Sequence, residues 1–178
     1  MSWIVIGLGA VVALVALVAA VGLTLRADHQ CARTIAIARS PAEVWAVIAD
    51  PAGYPAWRRD LTRVELLADG GFREHGRHDA IAYTLEDDRP PTAGAPGRRV
   101  TRIVDAGLPY GGRWIIAVAA EGDATRVSIT EDGFIRNPIF RVLSRTVFSV
   151  ASTQERWLTA LARHLGSAAT PTPTPPAS

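Results

Sequence analysis

The sequence predicts an α+β protein in which an antiparallel sheet curls around a long C-terminal helix, preceded by an N-terminal transmembrane helix. Three observations support this fold class. An apolar run occupies residues 3–25, turn signals divide the middle of the chain into six short strand-like segments, and an amphipathic pattern fills residues 137–166. With 178 residues, the chain has room for one domain of ordinary size beside the apolar run.

The apolar run contains no ionisable side chain and, at about 1.5 Å per residue, spans roughly 35 Å, enough to cross a bilayer. A cleaved signal peptide is the alternative, and Ala19-Ala20 is its best support, but the run is long and only Met1 and Ser2 precede it. Arg26, Arg33 and Arg39 follow the run. By the positive-inside rule, we expect a single-pass protein of the cell membrane with its domain on the cytoplasmic side.

The domain is expected over residues 32–166 and begins with a strand at 33–38, where apolar and smaller residues alternate. Ser40, Pro41 and Glu43 then have the spacing of a helix start with a capping box. Pro51 ends this helix and Pro55 interrupts a second short one. Two short helices therefore bridge the first strand to the sheet.

Six strands are predicted to follow as an antiparallel meander, because glycine-containing turns separate apolar segments of strand length. A loop rich in proline and glycine interrupts them at residues 88–97. The predicted strands are 61–67, 72–78, 80–87, 98–106, 112–121 and 125–132.

The last predicted element is a helix of about 28 residues that begins at Asn137-Pro138 and ends near Gly166, with apolar residues every three or four positions. A helix of this length can lie along a whole sheet, which gives a helix-grip arrangement. The tail at 167–178 is rich in proline and threonine, has no apolar face to bury and is expected to be disordered.

The opening of the domain resembles the START-like or SRPBCC superfamily, especially its polyketide cyclase/dehydrase and lipid-transport branch and its membrane-anchored bacterial members. The resemblance covers about residues 32–166. It implies a helix-grip fold with an apolar cavity between sheet and helix, which binds a lipid, quinone or polyketide-like ring. The matching residues are Pro41, Val44, Trp45, Asp50, Pro51, Tyr54, Pro55 and Trp57.

Trp57 matches a position near the cavity of that family, and strand parity or helix face suggests further lining residues. The alternative is that all of them are ordinary core residues, and one slip of register would reverse every strand assignment. The predicted lining residues are Trp57, Tyr83, Trp114, Val118, Phe148 and Ser152.

Four arginines are candidates for contact with anionic lipid headgroups, since cations near the start of a helix oppose its dipole and need another partner. These are Arg58, Arg59, Arg141 and Arg145. The alternative is that they are solvated, or paired with Glu131 or Asp132.

Other kinds of site are not indicated. His75 and His78 point to opposite faces of a strand, so we expect no metal and no cofactor. All 19 basic residues are arginines interleaved with acids, which disfavours nucleic-acid binding, and Cys31 is expected to be an inert thiol near the membrane.

Catalytic motifs are missing too, and Gly133 makes a turn more plausible than a cavity-facing acid at Glu131 and Asp132. An aromatase/cyclase-type enzyme and an envelope interaction protein with a filled cavity remain as alternatives to a binding protein.

Overall fold

The computed structural model describes residues 2–146 and 149–176. A long apolar helix is followed by a domain made of one antiparallel sheet and three α-helices, with a 3₁₀ helix at Pro51–Ala56. The helices are α1 (Ser2–Thr24), α2 (Pro41–Ile48), α3 (Pro138–Thr146) and α4 (Val150–His164). The strands are β1 (Asp28–Ile37), β2 (Arg63–Leu66), β3 (Phe72–His75), β4 (Ala80–Arg89), β5 (Gly97–Ile103), β6 (Tyr110–Glu121), β7 (Ala124–Ile135) and β8 (Thr172–Pro173).

The sheet has the strand order β2-β3-β4-β5-β6-β7-β1-β8, so the meander from β2 to β7 is joined at its far end by the first strand of the domain. β1 and β7 pair over their whole lengths, from Asp28 opposite Phe134 to Ile37 opposite Thr125. A bulge between Leu85 and Asp87 shifts the register of β4 against β5. This topology confirms the predicted fold class.

The short helices begin where the sequence predicts. Ser40 accepts a hydrogen bond from the Glu43 backbone N–H, and the Glu43 carboxylate accepts from the Ser40 backbone N–H at 2.9 Å, so the capping box is complete. Val44 and Ile48 of α2 are fully buried. Tyr54 in the 3₁₀ helix donates its hydroxyl to the Ile48 carbonyl at 2.7 Å, which ties the two helices together.

The predicted helix over 137–166 is two helices. α3 begins at the Asn137 cap, whose side-chain oxygen accepts from the Ile139 backbone N–H at 2.9 Å, and Ser149 has extended φ and ψ angles of −74° and 127° before α4 starts. α4 is the helix that covers the sheet, where Leu158 and Leu161 are fully buried. α3 instead packs against the end of α1.

The tail also differs from the expected disorder. Thr172 and Pro173 pair with Thr34 and Arg33 and so form the short edge strand β8 beside β1. Proline is tolerated here because an edge strand needs no donor on its outer side. The tail residue Ala169 packs against the hydrophobic core.

Candidate functional site

The space between the sheet and α4 is occupied by a chain of aromatic rings. The centroids of Trp57 and Trp157 lie 5.3 Å apart with their planes at 79°, and Trp114 lies 6.3 Å from Trp157. These are favourable edge-to-face distances. The aromatic cluster is formed by Tyr54, Trp57, Phe72, Tyr83, Trp114 and Trp157.

The predicted lining residues are therefore mostly parts of a packed interior. Trp57, Tyr83 and Trp114 belong to the aromatic cluster, and Val118 has an exposed fraction of 0%. Ser152 is half-buried and donates its hydroxyl to the Ser149 carbonyl at 2.7 Å. Phe148 lies outside the described residues. Ligand contact by these six side chains stays a prediction, and a ligand in this interior would have to displace some of them.

A cavity of about 290 Å³ lies at the end of the sheet next to α1, between β1, the end of β7 and the junction of α3 with α4. Its apolar lining residues, called its apolar wall below, are Ala27, Ile135, Val150 and Ala151. The polar lining residues include Arg26, His29, Cys31, Arg141, Arg145 and Ser149.

A second cavity, of about 550 Å³, lies beside the first and shares Arg26 and His29 with it. It also contains Asp28 and Asp132. We call the first of these, with the apolar wall, the junction cavity.

Two glycines let neighbouring atoms approach the backbone closely at this end of the sheet. Gly112 of β6 pairs with Gly133 of β7, and His29 of β1 lies opposite Gly133 on the other side. A Cβ atom on Gly133 would collide with the His29 ring, and one on Gly112 would collide with the Asp132 carbonyl. Because neither position has a side chain, the layer of side chains on the helix-covered face is interrupted here, next to the junction cavity.

Glu131 lies on the helix-covered face and was not expected there, because Gly133 suggested a turn. β7 instead continues to Ile135. The Glu131 carboxylate accepts a hydrogen bond from Trp114 Nε1 at 2.6 Å and lies 3.1 Å from His29 Nε2. This places an acid and an imidazole together beside the junction cavity.

Asp132 points to the opposite face of the sheet. It accepts hydrogen bonds from Gln30 Nε2 at 2.6 Å and from Arg113 at 3.0 Å, and these hold the pKa of its carboxyl below the ordinary value. Among the described residues, neither Glu131 nor Asp132 forms an ion pair with Arg141 or Arg145.

Cys31 lies in the wall of the junction cavity and is half-buried. Burial raises the pKa of its thiol, although the charge of Arg33 acts in the opposite direction. A raised pKa keeps the thiol protonated at neutral pH and disfavours a nucleophilic role.

The four arginines predicted at a membrane surface have different environments. Arg58 has a side chain only 13% exposed and is paired with Glu74 and with Asp60, so it does not present its charge to a surface. Arg59 and Arg145 are exposed. Arg141 donates to the carbonyl oxygens of Gly22 and Leu25 at 3.3 Å, at the end of α1.

Two buried ion pairs under the 3₁₀ helix were missed by the sequence analysis. Burial raises the pKa of Glu74, while its partner Arg58 acts to lower it. Arg99, on the helix-covered face of β5, is almost fully buried and lies 3.2 Å from Asp88 of β4. The sequence signal was only the interleaving of acids and arginines, which is equally typical of solvated strands.

No group of three metal-ligating side chains occurs among residues 2–146 and 149–176. His75 lies 3.3 Å from Glu65 on the neighbouring strand.

The family of this chain is decided by comparison of its sequence over residues 28–166. This region matches the family described as polyketide cyclase/dehydrase and lipid transport. The chain belongs to that family. The match includes every element from β1 to α4 and confirms the predicted START-like or SRPBCC relationship.

Several solved structures share the fold of the chain at low sequence identity. A START superfamily protein from Mycobacterium smegmatis is 17% identical with a TM-score of 0.59, covering 78% of this chain and 97% of that one. A conserved protein from Geobacillus kaustophilus is 12% identical with a TM-score of 0.62, covering 80% and 99%. Norcoclaurine synthase from Thalictrum flavum, solved with a transition-state analogue, is 11% identical with a TM-score of 0.61, covering 80% and 96%. A search of curated proteins finds no match.

Proposed function

We propose that this chain is a membrane-anchored protein that binds, and in some settings transfers, a hydrophobic small molecule such as a lipid, a quinone or a polyketide-like ring. The description of its family supports this class of ligand. The observation that carries the proposal is the position of the junction cavity, which has an apolar wall and lies directly behind the last turn of α1. An apolar ligand gains about 0.8 kcal/mol for each CH₂ group that it buries there.

Membrane anchoring by α1 is supported by its length and composition. Residues Ile6–Thr24 have a mean hydropathy of 2.7, and only 6% of this segment is buried against the rest of the chain. Arg26, Arg33 and Arg39 follow the helix and favour a cytoplasmic domain. Cleavage as a signal sequence is the alternative, and the intact mass of the purified protein distinguishes the two.

The binding test uses full-length protein purified in a mild detergent. Lipid extracted from the protein is identified by mass spectrometry, and occupancy of the junction cavity is followed through the alkylation rate of Cys31, the one cysteine of the chain. We expect a hydrophobic molecule to be retained and Cys31 to react faster after it is removed.

A variant that fills the cavity makes the test specific. Ala151→Phe adds a ring to the apolar wall and should abolish retention of the ligand. Ala36→Phe adds the same ring at an exposed position of β1 and is the matched control. Equal retention in both variants and in the wild type would place the ligand elsewhere, and no retained molecule in any of them would contradict the proposal.

An aromatase/cyclase-type enzyme is the second candidate, favoured by Glu131 and His29 beside the junction cavity. A carboxylate with an imidazole in hydrogen-bond reach can exchange a proton with a bound substrate. In that case Glu131→Gln should abolish turnover and leave ligand retention unchanged.

A non-enzymatic envelope interaction protein is the third candidate, favoured by the tight packing of the aromatic cluster. It predicts that no small molecule is retained and that Cys31 reacts equally fast before and after delipidation.

A further inference from the structure

The junction cavity combines an apolar wall with arginines that have no carboxylate partner. We propose that it binds the anionic headgroup, a phosphate or a carboxylate, of an amphiphile whose apolar part extends towards α1. This inference deepens the proposed binding function and rests on it. It adds the charge of the ligand and the side chains that recognise it.

Two of the arginines that line this cavity have no carboxylate partner among the described residues. Arg26 and Arg145 are both exposed and form no ion pair with any carboxylate of the described residues. Some arginines elsewhere are paired, as Arg33 is with Glu155 at 2.8 Å and Arg113 with Asp132 at 3.0 Å. Others, such as Arg59 and Arg77, are exposed and unpaired within the described part of the chain but do not line the junction cavity. Two cations that face one cavity without a counter-charge attract an anion.

The acids nearby do not neutralise them. The described lining residues of the junction cavity include no aspartate and no glutamate. Asp28 and Asp132 line the neighbouring cavity, and Asp132 is already bonded to Gln30 and Arg113.

Hydrogen-bond donors complete the polar side of the cavity. Ser149 is the residue before α4, and its hydroxyl makes no capping hydrogen bond to that helix, so it can donate to a ligand. Arg141 has a different role, because its guanidinium donates to the carbonyl oxygens of Ile135, Arg136, Gly22 and Leu25. It contributes a fixed positive charge to the wall, while Arg26 and Arg145 have free donors.

An amphiphile fits the surroundings better than a small free anion. A volume of about 290 Å³ is at the lower end of the range for ligand sites, so it holds a headgroup and the first part of a chain rather than a whole lipid. The apolar wall of Ala27, Ile135, Val150 and Ala151 would have no use in binding a hydrated ion. The rest of the ligand's apolar tail would lie along α1. Phe140 of α3, the helix that packs against α1, is 41% exposed and could contact this tail.

The test compares full-length protein in nanodiscs of phosphatidylcholine alone and with added phosphatidylglycerol or palmitate, with Cys31 alkylation as the readout of occupancy. The double variant Arg26→Gln/Arg145→Gln removes both unpaired charges. The matched control is Arg59→Gln/Arg77→Gln, which removes two other exposed, unpaired arginines. Inorganic phosphate added to protein in phosphatidylcholine nanodiscs tests a free anion.

We expect phosphatidylglycerol or palmitate to slow the alkylation of Cys31 in the wild type and in the control. The apparent affinity of the protein for phosphatidylglycerol or palmitate should fall about fivefold for each cavity arginine removed, or roughly 25-fold in the double variant. An equal loss of affinity in the Arg59→Gln/Arg77→Gln control would mean that the lipid is attracted by the positive surface in general, and this would overturn the inference. If inorganic phosphate at the same concentration slowed the alkylation of Cys31 equally, the site would bind a free anion and the proposed amphiphile would be wrong.

Failure of the inference is distinguishable from failure of the proposed function. If phosphatidylcholine alone protects Cys31 and the double variant behaves as the wild type, a neutral hydrophobic ligand is bound and only the headgroup preference is wrong. If no lipid changes the alkylation rate in any variant, the proposed binding function is wrong as well.

Discussion

The interior of this domain contains a pair of oppositely charged side chains, Arg58 and Glu74. Arg58 and Glu74 are paired although both side chains are largely buried, with exposed fractions of 13% and 11%. Removing ions from water costs free energy that the attraction between them only partly returns. The pair therefore makes the stability of the domain depend on pH.

The pH dependence should be visible in Glu74→Gln. Burial raises the pKa of Glu74 in the folded chain above the ordinary value of 4.5, against the pull of Arg58. Between the unfolded and folded pKa values, only the folded chain holds the proton, so the contribution of Glu74 to the free energy of unfolding falls as the pH rises. Glutamine cannot titrate.

Urea unfolding from about pH 4 to about pH 7 measures this difference. The free energy of unfolding of the wild type minus that of Glu74→Gln should decrease with increasing pH. Glu65→Gln, which removes an acid from the neighbouring strand, is measured in parallel for comparison. A difference that grows with pH would mean that the attraction of Arg58 outweighs burial.

The Cys31 thiol should alkylate more slowly in the folded chain than in urea. Its pKa is raised by burial and its side chain is half-buried, so both the thiolate fraction and access are reduced. Iodoacetamide rates at about pH 8 should be at least about tenfold lower in the folded protein, and the ratio should narrow as the pH rises. Equal rates in the folded and unfolded chain would show that neither burial nor a raised pKa limits the reaction of the Cys31 thiol.

At the scale of the elements, the contact between α1 and α3 is the least expected part of the structure. The backbone of Gly22 lies directly against Pro138, and Arg141 bonds the last carbonyl oxygens of α1. The carbonyls at the end of a helix lack the usual donors four residues on, and here the Leu25 N–H and the Arg141 guanidinium both donate to Gly22, so another element helps to cap α1.

Gly22→Ala should weaken this contact. A Cβ atom there would collide with the Pro138 carbonyl, which is backbone and cannot rotate away. We expect a loss of about 1–3 kcal/mol in the free energy of unfolding and faster tryptic cleavage after Arg26. Gly9→Ala, with no atom within 4 Å of the new Cβ, is the control within the same helix and should be neutral. Unchanged stability and cleavage in Gly22→Ala would contradict the contact.

The sequence predicted the elements well where local chemistry decides them. The Ser40 capping box and the turns at Gly70 and Gly122 are local signals, and both are present in the structure, whereas the predicted turn at Gly111-Gly112 lies inside β6. The division of the last helix at Ser149 was not predictable, because residues 138–165 contain no other proline and no glycine and the apolar periodicity is continuous. α3 docks on α1, which is a tertiary contact that no local pattern reveals.

The candidate site was less predictable for a related reason. The family resemblance placed Trp57 and strand parity placed Tyr83 and Trp114 inside the domain, but whether they line a cavity or fill it depends on packing. Glu131 was assigned to a turn because Gly133 normally signals one. In the structure Gly133 pairs with Gly112 inside the sheet, which no local pattern reveals.

At the scale of the whole molecule, the order of α1 and the domain predicts a single-pass topology with the domain in the cytoplasm. A green fluorescent protein fused after Ser178 should therefore fluoresce, and an alkaline phosphatase fused at the same position should be inactive. Replacing Arg26, Arg33 and Arg39 with glutamine should weaken the preference for a cytoplasmic domain, which would lower the fluorescence of the first fusion and raise the phosphatase activity of the second. An active phosphatase fusion of the wild-type chain would reverse the assigned orientation.

Contacts of Gly22 with Pro138 and of Arg141 with the end of α1 hold the domain directly against this helix, with no flexible linker between them. A carrier on a long tether can swing across a gap and reach an opposing bilayer. In the proposed membrane-anchored protein, the domain would keep a constant height and tilt above the bilayer, so a bound ligand would be exchanged with neighbours that diffuse in the same plane.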